Sequence, residues 1–201
     1  MTQTLVVVLG GTRSGKSRFG RDRAAALAAG GPIAYLATAV PGDPELDDRI
    51  ARHRRDRPVA WQTIEAGQDL AGAIRGVAAG TTILLDGLTL WASLALGDDP
   101  ARVDAVLGDD LVRVLEAMAD HDGPVVVVSD EVGLGLVPLD SLGRAFRDLL
   151  GIAHQRLVAL SDEAWFMVAG RPIALPPAAL PSVEAAEPVE PVEPEKPGAG
   201  R

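Results

Sequence analysis

The chain reads as an α/β protein, a mostly parallel sheet with helices on both faces. Three observations predict this. Short unbroken runs of Val, Ile and Leu recur along the sequence, and helix-length segments separate them. The first run, Leu5–Leu9, leads into a glycine-rich turn and then a helix-like stretch. Continuous apolar runs suit strands covered on both sides. Their alternation with helices suits parallel pairing.

In order, the predicted strands are Leu5–Leu9, Ile33–Ala37, Thr82–Leu85, Val125–Val128 and Trp165–Val168, with a short edge strand at Pro172–Leu175. The predicted helices are Ser17–Ala29, Leu46–Arg55, Gln68–Ala78, Leu90–Leu96, Arg102–Ala119 and Leu142–Leu160. In such sheets ligands collect at the carboxyl ends of the strands. That edge should hold the loops at 10–17, 38–45, 86–89 and 129–138.

The glycine-rich turn is Gly10-Gly11-Thr12-Arg13-Ser14-Gly15-Lys16-Ser17, the G-x-x-x-x-G-K-S pattern of a phosphate-binding P-loop between strand and helix. Glycines let backbone N–H groups converge on phosphate oxygens, and the helix N-terminus adds partial positive charge. Lys16 is placed to reach the β/γ-phosphates and the Ser17 hydroxyl to ligate Mg²⁺. The α/β class thereby becomes a P-loop (RecA-like) sheet. Leu84-Leu85-Asp86 ends the third apolar run with a carboxylate, as the Mg²⁺-holding acid of P-loop enzymes does; the bland reading is a helix cap.

Composition narrows the class further. The chain has 201 residues, 47% of them hydrophobic, enough for one well-buried domain. Net charge is −9, which disfavours general nucleic-acid binding, and the absence of cysteine excludes disulfides and thiolate metal sites. No secretory signal and no membrane-length apolar run is visible, so the expectation is a cytoplasmic protein. Residues 1–175 are expected to form the catalytic domain. Residues 176–201, rich in Pro, Glu and Ala, read as a disordered tail.

Two further segments carry chemistry. Between Asp48 and Pro58, five arginines surround His53. This is a solvated basic face, a nucleic-acid contact that the net charge opposes, or a phosphate clamp. In the last case neighbouring cations keep His53 neutral and able to act as a nucleophile. Ser129-Asp130-Glu131-Val132-Gly133-Leu134-Gly135 follows a strand and offers metal coordination, an acid/base group, substrate contacts or simply a turn. His121 and His154 lack supporting clusters and read as surface or packing residues. Trp61, Trp91 and Trp165 read as core.

Taken together, these stretches resemble the bifunctional adenosylcobinamide kinase / adenosylcobinamide-phosphate guanylyltransferase family. The resemblance runs over roughly residues 5–175. It is carried by the P-loop, Tyr35-Leu36-Ala37-Thr38-Ala39, Arg49-Ile50-Ala51-Arg52-His53-Arg54, Leu85-Asp86-Gly87-Leu88-Thr89-Leu90-Trp91, Asp130-Glu131-Val132-Gly133-Leu134-Gly135-Leu136-Val137-Pro138, and Gln155-Arg156-Leu157. Three positions depart from the family pattern: Gly87, where cysteine is common, and Leu94 and His154, where asparagine is common.

The resemblance implies two reactions. Adenosylcobinamide is phosphorylated with ATP or GTP, and GMP from GTP is then moved onto that phosphate, giving adenosyl-GDP-cobinamide and pyrophosphate. It implies His53 as the guanylylated residue; Lys16, from the P-loop chemistry, is the second catalytic residue. Nucleotide contacts fall on Gly10 to Ser17, on Ala37, Thr38 and Ala39, on Arg54, Arg55, Asp56 and Arg57, and on Glu65 and Asp86, with Mg²⁺ at Ser17 and Asp86. It also implies a homotrimer. Asp86, Asp130 and Glu131 all qualify as the kinase base. The competing readings are a P-loop small-molecule kinase or ATPase without covalent catalysis, and a nucleotide-gated interaction module.

Overall fold

In the computed structural model, residues 4–39 and 58–177 are described. They form a seven-stranded sheet: β1 (Leu5–Gly10), β2 (Ile33–Ala37), β3 (Gln62–Glu65), β4 (Thr82–Asp86), β5 (Val125–Asp130), β6 (Glu163–Val168) and β7 (Arg171–Leu175). The order across the sheet is β3-β2-β4-β5-β1-β6-β7. All neighbours pair in parallel except β7, which runs antiparallel to β6. Every residue of β1 and of β2 is buried, as their unbroken apolar sequences require.

The described helices are α1 (Lys16–Ala28), α2 (Leu70–Arg75), α3 (Leu88–Leu96), α4 (Leu111–Ala119) and α5 (Ser141–Leu160). Period-two alternation divides the strands between two cores. Val7, Leu36, Leu85 and Val127 face the larger core, which holds buried residues of α2, α3, α4 and α5. Val6, Val8, Leu84, Val126 and Val128 face the smaller one, where Ala24, Phe19 and Leu27 of α1 pack. The sheet is covered on both sides, but among the described residues α1 alone covers the second. No described helix is long and apolar enough to cross a membrane.

Three expectations change, and two others go untested. The strand Gln62–Glu65 was not anticipated: it is an edge strand with three of its four residues exposed, and it carries no apolar run. The expected helix Gln68–Ala78 shortens to α2, because Asp69 caps Gly72 N–H at its start and Gly76 closes its end. The expected helix Arg102–Ala119 is composite. A 3₁₀ turn (Pro100–Arg102), one α turn (Val103–Ala105) and a π turn (Val106–Asp110) precede α4. The expected helix Leu46–Arg55 and the tail from residue 178 lie outside the described residues.

The parallel register brings the carboxyl ends of three strands together. Gly10 stands opposite Asp130, and Asp86 opposite Val128. The loops after Gly10, Asp86 and Asp130 therefore open onto one edge, as the topology predicts.

Candidate active site

The turn after β1 is built to receive an anion. Gly15, at φ 95°, is the left-handed residue that starts α1, and no side chain caps the helix. The first amides of α1 are thus left for a ligand. Arg13 also takes a left-handed φ of 57°, a conformation that costs a non-glycine residue about 1 kcal/mol and recurs at ligand sites. Gly10 admits no side chain: a Cβ there would lie 2.6 Å from Ser14 Oγ. The β6–β7 hairpin braces the loop from beneath, with Gly170 N–H donating to Ser14 O at 2.9 Å.

Lys16 is 6% exposed. A lysine is buried this deeply only when paired. Its ammonium forms an ion pair with Asp130 and donates to Gly11 O at 3.3 Å. Ser17 Oγ donates to Asp86 Oδ1 at 3.1 Å, and Tyr35 Oη donates to Asp86 Oδ2 at 3.0 Å. One strand, β5, separates β1 from β4 in the sheet, so the P-loop reaches across it to meet Asp86. A hydroxyl and a carboxylate oxygen side by side are the hard donors that Mg²⁺ takes, together with water and substrate phosphates.

Of the other predicted residues, Ala37 ends β2 and pairs with Glu65, the exposed last residue of β3. Thr38 is fully buried, and its hydroxyl donates to Gly87 O at 2.7 Å, so its side chain ties β2 to β4 beneath the site. Ala39 follows at the last described position before residue 40. His53, Arg54, Arg55, Asp56 and Arg57 lie outside the described residues.

Two expectations about single residues are revised. His154 is buried inside a polar cluster, with Nε2 2.8 Å from Ser129 Oγ and Nδ1 3.5 Å from Glu131 Oε2. Burial pushes its imidazole below the ordinary value, against the pull of Glu131 and Asp130. His121, by contrast, has the expected packing role: it is buried, with Nε2 donating to Thr81 O at 2.8 Å. Trp91 is a core residue as expected, whereas Trp61 and Trp165 are only partly buried against the α1 side. In the sequence, Tyr35 stands out only within the Tyr35–Ala39 stretch that resembles the family. Its contact with Asp86 has no local sequence signal, because 51 residues separate the two.

Fold and site together define a P-loop nucleotide-binding protein. The family described as cobinamide kinase / cobinamide phosphate guanyltransferase matches residues 6–175. The bifunctional adenosylcobalamin biosynthesis protein CobP of Pseudomonas aeruginosa is 42% identical over 171 residues, covering 84% of this chain and 95% of that protein. The corresponding CobU proteins of Salmonella typhimurium and Escherichia coli K12 are 36% and 32% identical, each over 83% of this chain and 96% of the relative. The chain belongs to the cobinamide kinase / cobinamide phosphate guanyltransferase family. Among solved structures, a KaiC-like protein, PH0186 of Pyrococcus horikoshii OT3, aligns at 13% identity with a TM-score of 0.41, covering 81% of this chain and 70% of that one.

Proposed function

We propose that this chain phosphorylates the hydroxyl of adenosylcobinamide with ATP or GTP and then transfers GMP from GTP to the resulting phosphate through a guanylylated His53. The observation that carries the reading is the joined set Lys16, Ser17 and Asp86 at a P-loop, in a chain of this family.

The loop amides and Lys16 hold the triphosphate, and Ser17 with Asp86 would hold Mg²⁺. Bound there, the ion would neutralise charge on the triphosphate oxygens. In guanylyl transfer the imidazole of His53 attacks the α-phosphorus, an N–P bond forms, and the bond to the α–β bridging oxygen breaks, releasing pyrophosphate. The cobinamide phosphate then displaces the imidazole. Splitting the transfer lets one site serve two bulky substrates in turn. Arg54, Arg55 and Arg57 stabilise the phosphate charge as clamps, with Asp56 among them in the nucleotide-binding segment.

Glu65 supplies base selectivity. Its carboxylate accepts from guanine N1–H and the 2-amino group, which adenine cannot offer. The exposed end of β3, beside Ala37, supports that role. Unchanged GTP-over-ATP selectivity in Glu65→Ala would refute it.

We further place the catalytic unit at residues 1–175 with 176–201 as an extended tail, in the cytoplasm, as a homotrimer. Leu134, Leu136, Val137 and Leu139, all strongly exposed in the loop after β5, support burial against another copy.

Two assays test the whole reading: phosphate transfer from ATP or GTP to adenosylcobinamide, and pyrophosphate release from GTP that depends on adenosylcobinamide phosphate. Both should proceed. Phosphate transfer alone favours a kinase without covalent catalysis, and the absence of both reactions contradicts the assignment.

A further inference from the structure

The end of β5 carries a buried polar chain that runs from the strand to α5. Asp130 N–H donates to Thr89 Oγ1 at 2.7 Å, and Thr89 Oγ1 lies 3.0 Å from Ser129 Oγ. Ser129 Oγ lies 2.8 Å from His154 Nε2. His154 Nδ1 makes no hydrogen bond, and Glu131 Oε2 stands 3.5 Å from it. Ser129 is fully buried and His154 is 5% exposed.

The Glu131 carboxylate gives this chain a direction: facing Nδ1, it favours the ring proton there and leaves Nε2 to accept. The Ser129 hydrogen then goes to Nε2, the bare nitrogen of a neutral ring. The opposite tautomer would set a lone pair against a carboxylate oxygen.

Among the described residues, three carboxylates stand at the ends of β4 and β5, and two of them meet P-loop side chains. Asp86 takes the hydroxyls of Ser17 and Tyr35, and Asp130 takes the Lys16 ammonium. Glu131 Oε1 accepts from Gly133 N–H at 2.5 Å, which leaves Oε2 toward the imidazole. The Glu131 backbone is anchored to the P-loop, its N–H donating to Gly10 O at 3.0 Å.

We infer that Glu131 accepts the proton of the substrate hydroxyl during phosphorylation, and that His154 is the positioning residue that aims its carboxylate. The inference rests on the kinase reading above. The hydroxyl oxygen attacks the γ-phosphorus and a new O–P bond forms. The bond from the γ-phosphorus to the β–γ bridging oxygen breaks, and its electrons leave with the nucleoside diphosphate. The hydroxyl proton passes to Glu131 Oε2 and then to solvent. The Nδ1–H···Oε2 contact, long in the free protein, shortens when substrate binds, as catalytic hydrogen bonds commonly do. Guanylyl transfer uses a phosphate oxygen as acceptor nucleophile. That oxygen has no hydroxyl proton to lose, so the second reaction makes no such demand on Glu131.

The test compares both reactions in three full-length variants. Glu131→Gln retains an oxygen for the Gly133 amide but removes the base. Its phosphorylation kcat should fall about 100-fold or more, with KM for adenosylcobinamide little changed and guanylyl transfer to pre-formed adenosylcobinamide phosphate within about threefold of wild type. His154→Leu should lower phosphorylation kcat about 10-fold, and His154→Asn, which restores an N–H donor near the place of Nδ1, should recover most of it. The inference is overturned if Glu131→Gln phosphorylates normally, if both reactions fall together, or if Leu and Asn at position 154 behave alike. A wild-type chain that transfers guanylyl groups but not phosphate overturns both the inference and the kinase reading.

Discussion

Ser17 Oγ and Asp86 Oδ1 lie 3.1 Å apart, joining the P-loop to the end of a strand two places across the sheet. Tyr35 holds the other carboxylate oxygen at 3.0 Å. Asp86 is thus aimed by a neighbour on β2 before any substrate arrives. Tyr35→Phe keeps the ring and removes that donor. It should cost about 1 kcal/mol of stability and raise the KM for the Mg²⁺–triphosphate severalfold, as measured by urea unfolding and by steady-state kinetics.

The Lys16–Asp130 pair predicts an energetic signature. Its side chains are 8% and 21% exposed, so neither partner can rely on water. Lys16→Ala should abolish both reactions and also destabilise the chain, because it leaves Asp130 unpaired. Adding Asp130→Asn should restore about 1–2 kcal/mol of the lost stability without restoring activity. A double-mutant cycle by urea unfolding reads the coupling directly.

Gly20 reverses an ordinary expectation. In an exposed helix Gly→Ala stabilises by about 1 kcal/mol. Here α1 lies so close to the sheet that a Cβ on Gly20 would come within 2.5 Å of Val128 Cγ2. A buried β-branched neighbour cannot swing aside, so Gly20→Ala should destabilise by about 1–3 kcal/mol. Triphosphate affinity should fall with it, since α1 carries Lys16 and Ser17. Calorimetric unfolding and nucleotide titration test both effects.

His154 predicts a pH dependence. Burial lowers its folded-state value below the ordinary 6.5, against Glu131 and Asp130. As pH falls through that ordinary value the unfolded chain takes up the proton first, so folded stability declines on acidification. His154→Asn should flatten this slope between about pH 7 and pH 5.5. An equal slope in the variant would assign the effect to other groups.

Much of this architecture was legible because its cause is local. The buried strands are continuous apolar runs, and the P-loop is a contiguous pattern whose glycines meet local backbone demands. β3 was hidden because an exposed edge strand has no hydrophobic signature; its pairing with β2, from Ala34–Gln62 to Ala37–Glu65, defines it. The His154 cluster was hidden because α5 must fold back before position 154 meets Ser129, 25 residues earlier. Tyr35 and Asp86 meet for a similar reason, across β2 and β4. The extra π turn before α4 breaks no hydrophobic pattern, since Val106 and Leu107 are buried as a plain helix would bury them.

Covalent guanylylation of His53 can be trapped and read on the protein itself. The full-length chain is incubated with GTP labelled at the α-phosphate and Mg²⁺, denatured, and divided between acid and base. Protein-bound label should survive base, be lost in acid and be absent from His53→Ala. Undiminished label in His53→Ala, or no label on a wild-type chain that still forms adenosyl-GDP-cobinamide, would contradict guanylylation of His53.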